Sequence, residues 1–375
     1  MSTQRIQRLL LVLVFIAAAP LSAQLRTELQ FPDVKGYKTV TADLHMHTVF
    51  SDAQVWPVVR VREAWRNGLD ALAITDHLEY LPFKLDVIPG FNRPYEIAKP
   101  EAEKMGLLLI RGAEITRSEP HGHFNAIFLD DCDPLATPDQ KDAVKAAFDQ
   151  GAFIWWNHPE WKRDDGKAWC EIQQDYFDLG WMHGLEVFNG HSYYENAHQW
   201  ALDNNLTIMG NTDVHAPIDE TYNYAAGEHR TMTLIFAEDV TAEALKEALF
   251  DRRTVAFGGG TLVGRELWLR PLVEGIIHFS GTECTLPGKN TRVLKVYNQS
   301  DIALELEYES STPGVVFPKT LSLAPGKSLP LSLRSDGTIE EGTKTIEVVY
   351  NVKNALVAPQ TPLAFKQSFK IRFMR

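Results

Sequence analysis

Residues 42–48 read Ala-Asp-Leu-His-Met-His-Thr and follow an apolar run that begins at Thr39. In a β-strand, residues i and i+2 project to the same side, so His45 and His47 face one point while Met46 faces away. Two imidazoles that converge in this way suit a single metal ion. Taken alone, the stretch is also compatible with a chance pair of histidines at an exposed strand end.

Five further clusters place His, Asp or Glu at or beside the ends of predicted apolar strands: Ala73–His77, Gly112–Thr116, His121–Asn125, Trp155–Pro159 and Gly210–His215. Within the third of these, His123 is a better candidate ligand than His121 because it directly opens the next strand. Each cluster alone is compatible with a solvated strand end. Six together favour one site, since the active sites of α/β barrels lie at the carboxyl ends of the strands.

The region between Thr39 and Leu269 alternates short apolar runs with helical patterns. Strands are predicted at 39–45, 71–75, 107–115, 124–129, 153–157, 185–188, 207–210 and 231–236, and helices at 57–65, 139–148, 195–202 and 241–250. Repeated strand, helix and strand units predict parallel strands joined by crossover helices. We therefore expect an α/β barrel.

After Pro271 the pattern changes to alternating strand-like runs, separated by turn signals such as Thr312-Pro313-Gly314. This texture is typical of an antiparallel β-sandwich. The sequence thus predicts a barrel at 24–270 and a C-terminal β-sandwich at 271–375. The sandwich could stabilise the barrel, cover the site or form a dimer contact, and the sequence leaves these three roles open. It also leaves the oligomeric state open.

The N-terminal residues have the features of a signal peptide. Arg5 and Arg8 precede the apolar run Leu9–Ala19, which is too short to span a bilayer, and Pro20–Ala23 resembles a processing site. We expect residues 1–23 to be removed and the mature protein to be periplasmic or secreted, with no membrane span. Loss of the two arginines would lower the net charge from −12 to −14.

The composition excludes several classes of protein. With 45% hydrophobic and 23% charged residues the chain is neither disordered nor fibrous. Its net charge of −12 argues against a nucleic-acid partner, because phosphate backbones are held by Lys and Arg. Only three cysteines occur, which excludes a disulfide scaffold and favours isolated buried thiols, although oxidation of one pair stays open.

Taken in order, the motifs DLHMHT, SD, ITDH, GAEIT, GHFN, NHP and NTDVH resemble those of the polymerase and histidinol phosphatase (PHP) superfamily of metal-dependent phosphoesterases. The resemblance implies a distorted barrel of about seven strands that holds three divalent metals, often Mn, Fe or Zn. It implies that the first metal is bound by His45, His47, Glu114 and Asp213. It implies that Glu114 bridges to a second metal, which also takes His123 and His158, and that the third metal is bound by Asp52, His77 and His215. The layout and the phrases EITRS and GHFNAIFL further resemble a secreted Sphingobium-type phosphodiesterase group.

Three divalent ions carry more charge than three carboxylates, so such a site attracts a phosphate ester even in an acidic protein. We expect an exported metal-dependent hydrolase of small organic phosphodiesters, in which a hydroxide between two metals attacks phosphorus. Glu114 and Asp213 are the expected central carboxylates. Arg117 and Arg230 are candidate phosphate clamps and His229 is a candidate general acid, with ordinary surface roles as the alternative.

Other functions remain open from the sequence. The same metals would serve a phosphomonoester phosphatase or an exonuclease-like enzyme, and a vestigial barrel would make the chain a binding protein. Asn157 and Asn211 are candidates for orienting ligands. Finally, Trp56, Trp155, Trp156 and Trp161 either wall a pocket for an organic substituent or pack against the barrel.

Overall fold

The structure, a computed structural model, describes residues 26–88, 90–162, 166–309 and 313–374. The expected signal peptide at 1–23 lies outside the described residues. Within them, no helix is both long and apolar enough to cross a membrane. The three cysteines, which are Cys132, Cys170 and Cys284, are free thiols, and Cys132 is buried.

The strands of the barrel region, β1 to β11 in chain order, are Lys38–Asp43, Ala71–Ile74, Leu108–Thr116, His123–Ile127, Phe153–Trp156, Gly184–Asn189, Ser192–Tyr193, Thr207–Asn211, Met232–Ala237, Thr254–Gly258 and Thr261–Gly264. Their order in the sheet is β11-β10-β9-β1-β2-β3-β4-β5-β6, with β8 and the short β7 both paired to β6. All eight predicted strands are confirmed, each within two residues of its expected bounds. The sequence analysis missed β10, β11 and the two-residue β7.

The expectation of parallel strands throughout is wrong at several pairs. The pairs β1–β2, β2–β3, β5–β6 and β6–β8 are parallel. In contrast β3–β4, β4–β5 and β1–β9 are antiparallel. Residues 117–122, which join β3 to β4, are too few for a crossover helix, so this connection reverses the chain as a hairpin does.

The barrel closes where β8 meets β9 and β10, and side chains rather than a backbone ladder make this seam. The Thr233 hydroxyl accepts from the Gly210 amide at 3.0 Å and donates to the Gly210 carbonyl at 2.9 Å. Thr254 donates to the Ile208 carbonyl at 2.8 Å. A Cβ at position 210 would lie only 3.0 Å from the Cβ of Ala256, so glycine allows this close approach.

Helices α1 to α8 are Pro57–Arg66, Arg93–Met105, Gln140–Asp149, Glu171–Asp178, Glu195–Asp203, Ile218–Thr221, Ala242–Phe250 and Glu266–Ile276. The four predicted helices correspond to α1, α3, α5 and α7 and are confirmed. Helix α2 was missed because its buried residues are only Pro94, Ala98 and Ala102, which make no bulky apolar stripe. Helix α8 was missed because it contains Pro271, and the expected domain boundary at residue 270 lies inside it.

The C-terminal strands, β12 to β20, are Ile277–Phe279, Glu283–Pro287, Thr291–Asn298, Leu304–Tyr308, Val315–Val316, Thr320–Leu323, Ser328–Ser335, Gly342–Ala358 and Thr361–Met374. One sheet has the order β12-β14-β18-β16, and the facing sheet contains β13, β20, β19, β15 and β17. The alternating runs that predicted strands in this region are 293–297, 304–308, 329–333, 345–350 and 365–373, and all five lie within these strands. The pairs are antiparallel except for β13 with β20.

The sandwich continues the sheet of the barrel. Strand β11 pairs in parallel with β19 at Leu262 opposite Ala355 and at Val263 opposite Leu356. The Asn354 side chain donates to the Gly260 carbonyl at 2.8 Å next to this pairing. A single cluster of buried apolar residues runs from the barrel through α8 into the sandwich. The two units therefore share one core.

Candidate metal centre

The segments after β1 and β8 hold three of the expected ligands side by side. The Asp213 amide donates to the His45 carbonyl at 2.8 Å, and the His47 amide donates to the Val214 carbonyl at 3.2 Å. These backbone bonds fix the two chain segments together just beyond the strands. As the alternation of side chains predicted, His45 and His47 point to one place, and their Nε2 atoms lie 3.2 and 3.0 Å from Asp213 Oδ1.

Glu114, near the end of β3, is the centre of the cluster. Its Oε2 lies 3.5 Å from His45 Nε2, 3.2 Å from His47 Nε2 and 2.8 Å from His77 Nδ1. Its Oε1 lies 2.9 Å from His123 Nδ1 and 3.9 Å from His158 Nε2. One fully buried carboxylate thus meets five imidazoles. This is a suitable position for a ligand that bridges two cations.

The remaining ligands lie on one side of this carboxylate. Asp52 Oδ1 is 3.1 Å from His215 Nε2 and 3.6 Å from His77 Nε2. The rings of His47 and His215 stack with their centroids 4.3 Å apart. The structure therefore brings all nine predicted ligands into one cluster, which contains three groups with converging donor atoms: His47, Asp52, His77 and His215; His45, His47 and Glu114; and His77, Glu114 and His123.

Four buried ligand atoms in this cluster have no hydrogen-bond partner among the described residues. They are His45 Nε2, His47 Nε2, Asp52 Oδ1 and Glu114 Oε2. A buried polar atom without a partner is costly, and proteins seldom leave several together. Imidazole and carboxylate are also the donors that Zn, Mn and Fe accept. The cluster therefore fits metal binding.

A layer of polar residues behind the ligands fixes their orientation. Glu186, fully buried on β6, accepts from His45 Nδ1 at 3.0 Å and from the His158 amide at 3.0 Å. The Asn189 and Asn211 side-chain amides each donate to Glu186 at 2.9 Å. A carboxylate on Nδ1 keeps the proton there and leaves Nε2 free for a cation.

The sequence analysis anticipated this supporting role for Asn211 and for Asn157, whose amide donates to Glu114 Oε1 at 3.0 Å. It missed Glu186, although a lone glutamate inside the apolar run Leu185–Phe188 was a usable signal. It also missed Asp76, which accepts from the Thr48 amide, from the Thr48 hydroxyl and from the Ser51 hydroxyl, each at 2.6 Å. Asp76 thereby holds the loop that carries Asp52.

The charges in the cluster are strongly coupled. Burial disfavours the charged form of His45, but the carboxylates of Asp213, Glu186 and Glu114 outweigh it and hold the pKa of His45 well above its usual range. Burial likewise opposes ionisation of Glu114 and Asp213, but the surrounding imidazoles prevail and hold both pKa values well below the usual range. A cation must displace the protons that the imidazoles carry, so the affinity of the cluster for the cation falls as the pH falls.

Two of the ligands have unusual backbone conformations. His158 has a φ of 27° and Asp213 a φ of 52°, in the left-handed region that non-glycine residues rarely adopt. Such strain persists where surrounding contacts enforce it, commonly at functional sites. Here the His158 amide is held by Glu186 and the Asp213 amide by the His45 carbonyl.

The expectation that Arg117 and Arg230 clamp phosphate is wrong. Arg230 is fully buried, pairs with the carboxylate of Asp43 and contacts Met46 Sδ at 3.0 Å. Arg117 pairs with Glu79 and donates to the Thr116 and Thr137 carbonyls at 2.8 and 2.7 Å. Both guanidinium groups hold parts of the fold together and neither faces the cluster.

The expectation that His229 is the general acid is wrong as well. His229 lines a cavity of about 380 Å³ between the barrel and the sandwich, together with Phe257, Asp301 and Pro325. None of the hydrogen bonds, ion pairs or ring contacts of the described residues joins it to the nine ligands. His229 therefore lies at the cavity between the two units, which sequence proximity to Arg230 did not reveal.

Comparison with known structures identifies the family. The chain is 42% identical to a two-domain protein from Bacteroides vulgatus ATCC 8482, which is described as containing a predicted PHP-like metal-dependent phosphoesterase. The match covers 93% of this chain and 100% of that one, and the TM-score is 0.88. The chain belongs to the PHP-like metal-dependent phosphoesterases. Family membership accounts for the mixed α/β barrel, and the clusters of His, Asp and Glu fit the metal dependence of the family.

Other comparisons concern parts of this PHP-like chain. A family model for an Ig-like domain matches residues 277–368, which correspond to the sandwich. A Bifidobacterium adolescentis protein proposed to be a metal-dependent phosphoesterase is 17% identical over 48% of this chain and 89% of its own, with a TM-score of 0.39. An amidohydrolase from Chromobacterium violaceum is 16% identical over the same shares, with a TM-score of 0.37. No curated protein matches the chain.

Proposed function

We propose that this PHP-like phosphoesterase is an exported hydrolase of small organic phosphodiesters that uses three divalent ions, which are Mn, Zn or Fe. One observation carries the proposal. The Glu114 carboxylate lies among five imidazoles, and four buried ligand atoms of the cluster make no hydrogen bond within the described residues, although imidazole nitrogens and carboxylate oxygens lie within 4 Å of one another. Neighbouring cation sites that share one carboxylate are suited to phosphoryl chemistry.

The residues would divide among the ions as the resemblance to the PHP superfamily implies. His45, His47, Glu114 and Asp213 would hold the first ion; Glu114, His123 and His158 the second; and Asp52, His77 and His215 the third. When bound, divalent ions neutralise charge on phosphoryl oxygens and lower the pKa of water. The protein keeps its ligands in the binding form, since Glu186 holds the proton of His45 on Nδ1.

The charge distribution supports a phosphate ester as substrate. The cluster offers three carboxylates among its nine ligands, so three divalent ions leave it net positive. Arg117 and Arg230 are engaged elsewhere, so the ions themselves balance the phosphate charge. The net charge of −12 disfavours long nucleic acids, which need an extended basic surface.

Export and the narrower likeness to the Sphingobium-type phosphodiesterases complete the proposal. Both rest on the sequence, namely the signal-peptide pattern at 1–23 and the phrases EITRS and GHFNAIFL. An extracytoplasmic enzyme of this kind acts on phosphate esters that arrive from outside the cell.

Two measurements on the purified full chain test the proposal. Metal content per chain is measured first, and turnover of p-nitrophenyl phosphate and bis(p-nitrophenyl) phosphate by the Mn-loaded enzyme is measured second. We expect two or more tightly bound transition metals and faster hydrolysis of the diester. Faster hydrolysis of the monoester would make the protein a phosphatase instead. Fewer than two metals together with no turnover would make the barrel a vestigial binding module.

A further inference from the structure

Two aromatic side chains flank the group formed by His77, Glu114 and His123. The ring of Tyr80 lies 6.2 Å from that of His77, and the ring of Trp161 lies 5.9 Å from that of His123. The rings of His77 and His123 are themselves 5.9 Å apart. Each aromatic ring therefore lies next to one of two neighbouring imidazoles of this group.

Both rings expose much of their surface. Trp161 is 57% exposed and Tyr80 is 55% exposed, whereas Trp155 and Trp156 are buried within the barrel. The segment after Tyr80 exposes two more apolar side chains, Leu85 and Ile88. Large exposed apolar side chains beside a concave polar site commonly mark a binding surface.

Neighbouring groups hold the indole of Trp161 in place. Its ring packs edge-on against His158, with the centroids 5.4 Å apart, and Lys162 Nζ lies 4.2 Å from its centroid. A cation over a tryptophan face is favourable, and an indole held in this way loses little further freedom when it contacts a ligand. The arrangement suits a planar apolar group that stacks beside the cluster.

We propose that Trp161 and Tyr80 select phosphate esters with an aromatic substituent, which they contact while the phosphoryl group occupies the cluster. This inference rests on the proposed function, because it names the substituent that the same site accepts. Aromatic stacking adds to the affinity that burial of apolar area supplies. An aromatic substituent should therefore gain about tenfold in affinity over a methyl group, which corresponds to about 1.4 kcal/mol.

Calorimetric binding of phenylphosphonate and methylphosphonate to the Mn-loaded full chain tests this inference without turnover, since neither compound has an ester bond. We expect the wild type to bind phenylphosphonate about tenfold more tightly. Trp161→Ala should remove most of this preference while it leaves methylphosphonate binding within twofold. Tyr80→Ala should reduce the preference, and Tyr80→Phe should restore it. Phe148→Ala, which removes an exposed ring on α3, is the matched control and should change neither affinity.

The outcomes separate the two proposals. If methylphosphonate binds but phenylphosphonate binds no better, the aromatic inference is overturned while the proposed function stands. An unchanged preference in both alanine variants overturns it equally. If neither phosphonate binds and neither p-nitrophenyl ester is hydrolysed, the proposed function fails and the inference fails with it.

Discussion

Replacing Glu186 by glutamine removes the buried charge behind His45 with almost no change in side-chain volume. Four groups of the described residues donate hydrogen bonds to this carboxylate: His45 Nδ1 and the Asn211 side-chain amide to Oε1, and the His158 backbone amide and Asn189 side-chain amide to Oε2. Glutamine offers one oxygen and one NH₂ group. Whichever way the glutamine is oriented, two of the four donors must therefore face its NH₂ group, which cannot accept a hydrogen bond.

The magnitude follows from these contacts. A hydrogen bond to a charged group contributes about 1.5–3 kcal/mol, so two lost bonds cost about 3–6 kcal/mol before relaxation. When the NH₂ group faces His45, the imidazole accepts at Nδ1 and carries its proton on Nε2, the atom that binds metal. Loss of such a supporting carboxylate typically weakens metal binding 10- to 100-fold. We expect this loss for the ion that His45 holds.

Titration of the metal-free variant with Mn²⁺ or Zn²⁺ against a competing chelator measures this affinity, and urea unfolding of the same sample measures stability. Asp70→Asn is the matched control, because Asp70 is a partly buried carboxylate that accepts from the Thr41 amide and hydroxyl, each at 3.0 Å, and contacts none of the nine ligands. It should lower stability and leave metal affinity within about twofold. Wild-type metal affinity in a folded Glu186→Gln variant would refute the reasoning, and so would an equal loss in the control.

Three further outcomes are expected. His47→Ala should lower turnover at least about 100-fold and reduce the metal content while near-ultraviolet circular dichroism stays native, and near-normal rates would refute the ligand assignment. Arg230→Met leaves the buried Asp43 unpaired and should lower the free energy of unfolding in urea by about 3–5 kcal/mol, whereas a phosphate clamp would change KM and spare stability. Burial lowers the pKa of His183 to about 4, below its value of 6.5 in the unfolded chain. The contribution of the buried imidazole to the free energy of unfolding is therefore complete above pH 6.5 and is lost as the pH falls toward 4. The stability advantage of the wild type over His183→Gln should thus shrink by about 2 kcal/mol between pH 6.5 and pH 5 in urea titrations, and a constant difference would contradict this.

The sequence predicted the positions of strands and ligands well because both depend on local patterns. Apolar runs bounded by polar ends identified the strands, and alternation along β1 placed His45 and His47 on one side. The direction of each strand was harder to predict from the sequence. A short, fully buried strand has the same composition in either direction, so only the short connection 117–122 indicated that β4 runs antiparallel to β3, and nothing indicated that it also runs antiparallel to β5.

The substrate residues were mispredicted because their partners are distant in the sequence. Arg117 pairs with Glu79, which is 38 residues away, and Arg230 pairs with Asp43, which is 187 residues away. Both arginines follow strand-end motifs, so sequence position alone placed them near the ligands. Only the folded chain shows that each guanidinium group is already paired with a carboxylate.

The role of the sandwich, which the sequence left open, becomes clearer from its contacts with the barrel. Strand β11 would be an edge strand with unpaired backbone groups if β19 did not pair with it at Leu262 and Val263. Helix α8 buries Trp268, Leu269 and Leu272 in the core that the two units share. From β11 the sheet continues through β10 and β9 to β1, whose end carries His45 and His47. Because none of the nine ligands comes from the sandwich, its contacts stabilise the sheet that positions the metal ligands rather than supplying ligands themselves.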